Sequence, residues 1–165
     1  MRKLLSITTS CLLIFLLVAI MLVTPELSAS QEPQSEEAKQ TMALVDQAAA
    51  LLESKGTDAF GEFRKKGSQW LNGDTYIFVL DMKGIDVFHP VQPDLEGKSI
   101  IDMKDANGKA FIRDMIEKAK TQGSGWVEYM WTKPGESEPS KKRTYIKKVK
   151  TGEDTLIVGS GYYTD

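Results

Sequence analysis

The chain beyond residue 30 predicts an α+β fold built on a mainly antiparallel sheet. Apolar residues first recur at helical spacing: Leu44, Val45, Ala48, Leu51 and Leu52 share one face of a helix over Glu36 to Ser54. From Tyr76 the period changes to two, in short segments rich in aromatic and β-branched residues and separated by turn signals. The strands also come in runs, two before a further helix and three after it. They do not alternate one for one with helices as a doubly wound parallel sheet requires.

Taken in order, Gln31 to Ser35 ("QEPQS") is a short polar leader, and Lys55-Gly56 closes the first helix, glycine being common just past a helix end. Thr57 reads as the N-cap of a shorter second helix, with Asp58 in its first turn. That helix carries Ala59, Phe60 and Phe63 and ends near Gly67, and Asn72-Gly73 marks a turn on the way to the sheet. "YIFVLDMKGIDVFHP" is a hairpin: strand Tyr76 to Asp81, a turn with Asp81 first and Gly84 last, and strand Ile85 to His89, stopped by Pro90. The polar connector "VQPDLEGKSIIDMKDANG" leads to a helix over Asn107 to Gln122, whose apolar face is Ala110, Phe111, Met115 and Ala119. Three strands follow, Gly125 to Thr132, Arg143 to Lys150 and Thr155 to Tyr163, the last two joined by "TGED". Helices on one face would leave the other side of the sheet concave, with room for a small ligand between sheet and connector.

The N-terminus has a separate character. "MRK" is a positive n-region, Cys11 to Val23 is an unbroken apolar run of 13 residues, and Ser28, Ala29 and Ser30 are small. This is the layout of a secretory signal peptide cleaved near Ala29 or Ser30, because a membrane span needs about 20 apolar residues. The domains are therefore 1–30, signal peptide or N-terminal anchor, and 31–165, one ligand-binding domain. If cleavage fails, residues 4–23 anchor the chain in a membrane. The mature chain carries 19 basic and 22 acidic side chains, a net charge of −3, which argues against nucleic acid as a partner. "KKR" at 141–143, with Lys147, Lys148 and Lys150, reads as a solvated strand edge that discourages pairing with other chains. The mature chain has no cysteine, which excludes disulfides, thiolate nucleophiles and cysteine-held metals.

Motifs for catalysis are weak. "DMKDANG" lacks the alternating acidic spacing and the closing glutamate of a calcium loop, so Asp105 is expected to cap the helix that begins at Ala106 or Asn107. "KTG" at 150–152 has no Ser-x-x-Lys to accompany it, and "GSG" at 159–161 lacks the spacing of a nucleophile elbow. Small residues in that last strand are expected to permit close packing. His89 is the chain's single histidine, so a metal would need ligands from no recognisable motif. Neither an enzyme activity nor a cofactor is expected.

One cluster stands out. The strand "WVEYMW" turns Val127, Tyr129 and Trp131 to one face, and the next strand brings Lys142, Arg143 and Tyr145. Aromatic walls with a cation and phenol hydroxyls suit a small carboxylate, although aromatics on strands also serve as core.

These stretches, "YIFVLDMKGIDVFHP", "GKSIIDMKDANGKAFI", "GSGWVEYMW", "KRTYIKK" and "IVGSGYY", together resemble a single Cache domain, the extracytoplasmic PAS-like sensor module of bacterial receptors. The similarity runs from about Leu44 to Tyr163. The resemblance implies a long N-terminal helix packed on a five-stranded antiparallel sheet, and a pocket for a short carboxylate or amino acid between sheet and connector. It places the pocket at Tyr129, Trp131, Lys142 and Tyr145, with His89 and Trp70 at its edge and His89 doing no chemistry. A receptor would continue into a second span and an output domain, whereas this chain stops at Asp165. The expectation is a free-standing exported binder, periplasmic or extracellular, which works alone or hands its state to a membrane protein partner. A membrane-anchored subunit and a protein-interaction module with a vestigial pocket are the alternatives.

Overall fold

A computed structural model of the chain describes residues 35–164; the segment read as signal peptide or anchor lies outside them. Helix α1 spans Glu36–Lys55, with the Ser35 hydroxyl accepting from the Ala38 N–H at its start and the Gly56 N–H donating to Leu52 O at its end. It buries Val45, Ala48, Ala49 and Leu52, which extend the predicted stripe.

A 3₁₀ turn over Gly56–Ala59 runs directly into α2, Phe60–Phe63. Thr57 is therefore not an N-cap. Thr57 lies inside the 3₁₀ turn; the chain leaves helical angles only at Gly56 (φ +59°), and α2 starts from Ala59, whose backbone is helical and which makes no side-chain cap. Strands β1 (Leu71–Asn72) and β2 (Thr75–Tyr76) make a small hairpin around Asn72-Gly73.

The main sheet contains β3 (Phe78–Asp81), β4 (Asp86–Phe88), β5 (Ser124–Thr132), β6 (Pro139–Thr151) and β7 (Asp154–Tyr163). Its order is β4-β3-β7-β6-β5, antiparallel throughout, which is the PAS-like arrangement. In the β3–β4 turn the Asp81 carboxylate accepts from the N–H groups of Lys83 and Ile85, both at 2.8 Å. Gly84 closes that turn at φ +85°, and a Cβ there would meet the side chain of Ile101 at 2.8 Å.

Helices cover both faces of the sheet, not one. Residue alternation sends Val79, Val149, Leu156 and Val158 into a core with α1, α2 and Phe88. Their neighbours Phe78, Leu80, Ile146 and Ile157 enter a second core with α3, Phe111–Thr121, and the connector. The space for a ligand is therefore between the sheet and α3.

Helix α3 begins four residues later than its sequence pattern suggests, and Asp105 does not cap it. The Asp105 carboxylate instead accepts from the N–H groups of Asn107, Lys109 and Met130 at 2.8–2.9 Å. A local turn held by a side chain competes with the helix over 105–109, and the same carboxylate pins the connector to β5.

The basic run is also placed differently. It lies on β6, a strand paired on both sides, so it guards no edge. Lys141 and Lys147 reach Glu128 and Asp46 at 3.0 and 2.7 Å, while Lys142 is wholly buried.

Candidate functional site

The site starts with an irregularity in β4. Val79 pairs with Phe88 but Leu80 pairs with Asp86, so Val87 is an extra residue and the strand bulges. Regular alternation would put Asp86 and Phe88 on the same face. With the bulge, Phe88 enters the α1 core, while Asp86 and His89 line the cavity on the α3 side. Phe78, Leu95, Ile100, Phe111, Ile112 and Met115 make its apolar walls, and Tyr129 and Trp131 close it from β5. The cavity measures about 20 Å³, the room of one water molecule.

His89 is buried, and its Nδ1 accepts from the Gln92 N–H at 2.9 Å. Burial and the positive charge of Lys142 push its pKa down to about 3, so the ring is neutral. With Nδ1 accepting, the proton sits on Nε2, which is the ring's remaining donor. The His89 N–H donates to Glu96 Oε1 at 2.9 Å, and Glu96 in turn pairs with Arg64 at 2.8 Å. His89 thus both lines the cavity and holds the start of the connector.

Lys142 faces the same side, paired in register with Tyr129 on β5 and Tyr163 on β7. Its ammonium lies 3.8 Å from the centre of the Tyr76 ring and 5.1 Å from that of Tyr163. It is wholly buried, and Nζ has no hydrogen-bond partner among the described residues. Burial pushes its pKa down to about 7, with Asp74 offsetting part of the effect. The phenols of Tyr76 and Tyr129 are held above their ordinary range by burial, and that of Tyr163 rises to about 12 for the same reason, so all three stay donors. Thr144 donates to the Tyr129 hydroxyl at 3.2 Å.

The glycines of β7 make room for these side chains. A Cβ on Gly159 would lie 2.4 Å from the tip of the Phe78 ring, and one on Gly161 would lie 2.6 Å from Arg143 O and 3.0 Å from Lys142 Cε. Close packing is thus what "GSG" supplies.

Of the six residues expected at the pocket, the structure brings together Tyr129, Trp131, His89 and Lys142 on one side of the sheet. Tyr145 is on the other side, against α1, with its hydroxyl donating to Ser124 Oγ at 3.0 Å and its ring 5.1 Å from Trp126. Three residues separate it from Lys142 along one strand, an odd number, so the two side chains point opposite ways. Trp70 is likewise in the α1-side core, 5.1 Å from Phe63. Its position before β1 places it beneath that core and away from the cavity edge.

Sequence reasoning did not find Asp86, Tyr76, Tyr163 or Phe111 as site residues. Asp86 is wholly buried, lines the cavity, and has neither oxygen in a well-formed hydrogen bond. Burial and the neighbouring Glu96 raise its pKa to about 7, and the Phe88 N–H offsets this only in part. An acidic residue inside "GIDVF", between apolar neighbours on a short strand, was the available signal. Among the described residues no group of three or more histidine, cysteine or acidic side chains is arranged to hold a metal ion.

This architecture and its cavity define a sensor-type α+β domain, and comparison with known proteins specifies the family. The Cache domain model (dCache_2) matches residues 63–165, and the chain belongs to the Cache domain family. It is 31% identical over 139 residues to the methyl-accepting chemotaxis protein McpP of Pseudomonas putida, covering 78% of this chain and 25% of that protein. It is 33% identical over 92 residues to the sensor histidine kinase MctS of Rhizobium johnstonii, covering 56% of this chain and 19% of that one. The chain thus spans about a quarter and a fifth of the length of these curated relatives.

Two solved structures agree. A periplasmic sensor domain of a chemotaxis protein superposes with a TM-score of 0.67 at 29% identity, over 78% of this chain and 95% of that one. A Cache chemosensory domain, solved to explain its carboxylic acid recognition, superposes at 0.66 with 32% identity, over 78% and 93%. The chain is therefore a Cache sensor domain, homologous to the ligand-binding domains of a chemoreceptor and of a histidine kinase.

Proposed function

We propose that this domain is an extracytoplasmic sensor module that binds a short monocarboxylate in the cavity between α3, the connector and the sheet, without catalysing a reaction. The observation that carries the reading is Lys142, a wholly buried ammonium with no hydrogen-bond partner among the described residues, paired in register with Tyr129, which lines the apolar cavity. A buried charge without a counter-charge costs several kcal/mol, and an arriving carboxylate supplies that counter-charge. Lys142 and the Nε2–H of His89 are the donors for the carboxylate, Tyr76, Tyr129 and Tyr163 are hydroxyls within the same face, and Trp131 and Phe111 enclose the tail. The apolar lining favours a short chain with a single charge, and taking it up requires the one-water cavity to widen between α3, the connector and the sheet. Carboxylic acid recognition by the structural relative supports the same ligand class.

The signal-peptide-like or anchor-like layout of residues 1–30 and the periplasmic placement of a related sensor domain support an extracytoplasmic location. Kinship with a chemoreceptor and a histidine kinase supports a membrane signalling partner as the recipient of the ligand state.

A thermal-shift screen against short carboxylates, amino acids and divalent metals tests the proposal. Ligand at about 100 times its Kd stabilises by about 2.7 kcal/mol, a shift of several degrees for a domain of this size. A shift with monocarboxylates is the expected result. A shift only with metals, or with nothing in the panel, overturns it.

A further inference from the structure

Asp86 is the buried ionisable group that the carboxylate reading leaves without a task, and it lines the very cavity in which the anion would sit. Both its oxygens lack a well-formed hydrogen bond, and it is 0% exposed. Its charged surroundings offer it little. Glu96 approaches from the connector and is already paired with Arg64. His89, three residues along the chain, is neutral with Nδ1 used by Gln92. β5 contributes the phenol of Tyr129 and the indole of Trp131, α3 contributes only Phe111, Ile112 and Met115, and the Lys142 ammonium of β6 hydrogen-bonds to no carboxylate among the described residues. An ionised Asp86 would set a second negative charge beside a bound carboxylate in an apolar cavity, an arrangement that two nearby carboxylates avoid by keeping one proton between them.

We infer that Asp86 is a further ligand-contacting residue, which meets the bound anion as the carboxylic acid and donates a hydrogen bond to it, so that the site takes up a carboxylate together with a proton. This deepens the monocarboxylate reading and rests on it. The pairing is a charge-assisted O–H···O⁻ bond, among the stronger kinds available. It also sets specificity: a dicarboxylate brings a further charge that Asp86 cannot neutralise, and an ammonium-bearing ligand would require Asp86 to be ionised. With a folded pKa of about 7, the free site loses its acid form as pH rises above neutrality.

The test is calorimetric titration of the purified protein with acetate and propionate, wild type beside Asp86→Asn, whose amide donates a hydrogen bond at every pH. The two proteins should bind alike at about pH 6, and Asp86→Asn should bind about tenfold more tightly than wild type at about pH 8, where the acid form is scarce. Any proton that Lys142 takes up is common to both proteins and leaves this ratio unchanged. A second readout is proton uptake on binding, measured as a dependence of the heat on the buffer's ionisation enthalpy, which should be greater in wild type than in Asp86→Asn. A ratio that stays constant between the two pH values, or affinity for glycine or alanine in place of propionate, overturns the inference and leaves the cavity's ligand-binding role standing. Absence of binding by any carboxylate at either pH overturns both.

Discussion

At the scale of single residues, Lys142 and Asp86 each cost stability, being wholly buried ionisable groups without hydrogen-bond partners among the described residues. Lys142 has a folded pKa of about 7 against about 10.4 in the unfolded chain, so between these values the unfolded state holds more protons. Its penalty is full below about pH 7 and fades as pH rises towards 10. Lys142→Met keeps the volume of the stem and removes the ammonium. It should stabilise the ligand-free protein at pH 6 by about 1–4 kcal/mol, measured by urea unfolding, and the gain should shrink on going to pH 9.5. A loss of stability at pH 6 would show that Lys142 has a native counter-charge. Tyr145 and Trp70, both expected at the pocket, lie elsewhere for different reasons. The alternation that unites Tyr129 and Trp131 on one face also separates Tyr145 from Lys142, so spacing argues against the pocket position that the resemblance gave Tyr145. The spatial position of Trp70 depends on how the helix-to-sheet junction folds, and no local pattern records that.

At the scale of elements, the β4 bulge decides which side chains see the cavity. Period-two reading located the strand and its end at Pro90, but a single extra residue reverses every inference about facing beyond it. This is why Asp86 escaped notice although its strand was correctly drawn. The late start of α3 has a comparable cause: the Asp105 carboxylate captures two local N–H groups, and its third, from Met130, is a long-range partner that a local pattern cannot contain. The long strands β5, β6 and β7, by contrast, were legible because turn residues bound them, although β7 is buried on both faces and shows no alternation. The β7 glycines lead to a prediction at this scale. Gly159→Ala places a methyl group against the Phe78 ring and pushes the ring into the cavity. It should cost about 1–3 kcal/mol in denaturant unfolding and weaken carboxylate binding with it. An alanine tolerated without loss in either measurement would mean that Phe78 can retreat and that the cavity wall is not fixed by β7.

At the scale of the whole molecule, the two buried groups act in opposite pH windows on the same ligand-free protein. Asp86 has a folded pKa raised from 3.8 to about 7, so its contribution is intact below about pH 4 and is lost as pH rises to neutrality. Lys142 returns its own contribution only above neutrality. Both penalties are therefore largest together near pH 7, and wild type should show a shallow minimum there in its thermal midpoint relative to the Asp86→Asn/Lys142→Met double variant. A difference that does not vary between pH 4 and pH 10 would contradict these environments. Two helix-covered faces put the cavity on the α3 side, and the proposed function is that a short monocarboxylate is held there by Lys142. The direct test measures propionate and acetate affinity by calorimetry for wild type, Lys142→Met and Tyr145→Phe. Loss of one charge-assisted contact in a buried site is worth about 2–5 kcal/mol, so Lys142→Met should bind at least about thirtyfold more weakly, while Tyr145→Phe, on the opposite face, should match wild type. Unchanged affinity in Lys142→Met, or a comparable loss in Tyr145→Phe, would contradict the site.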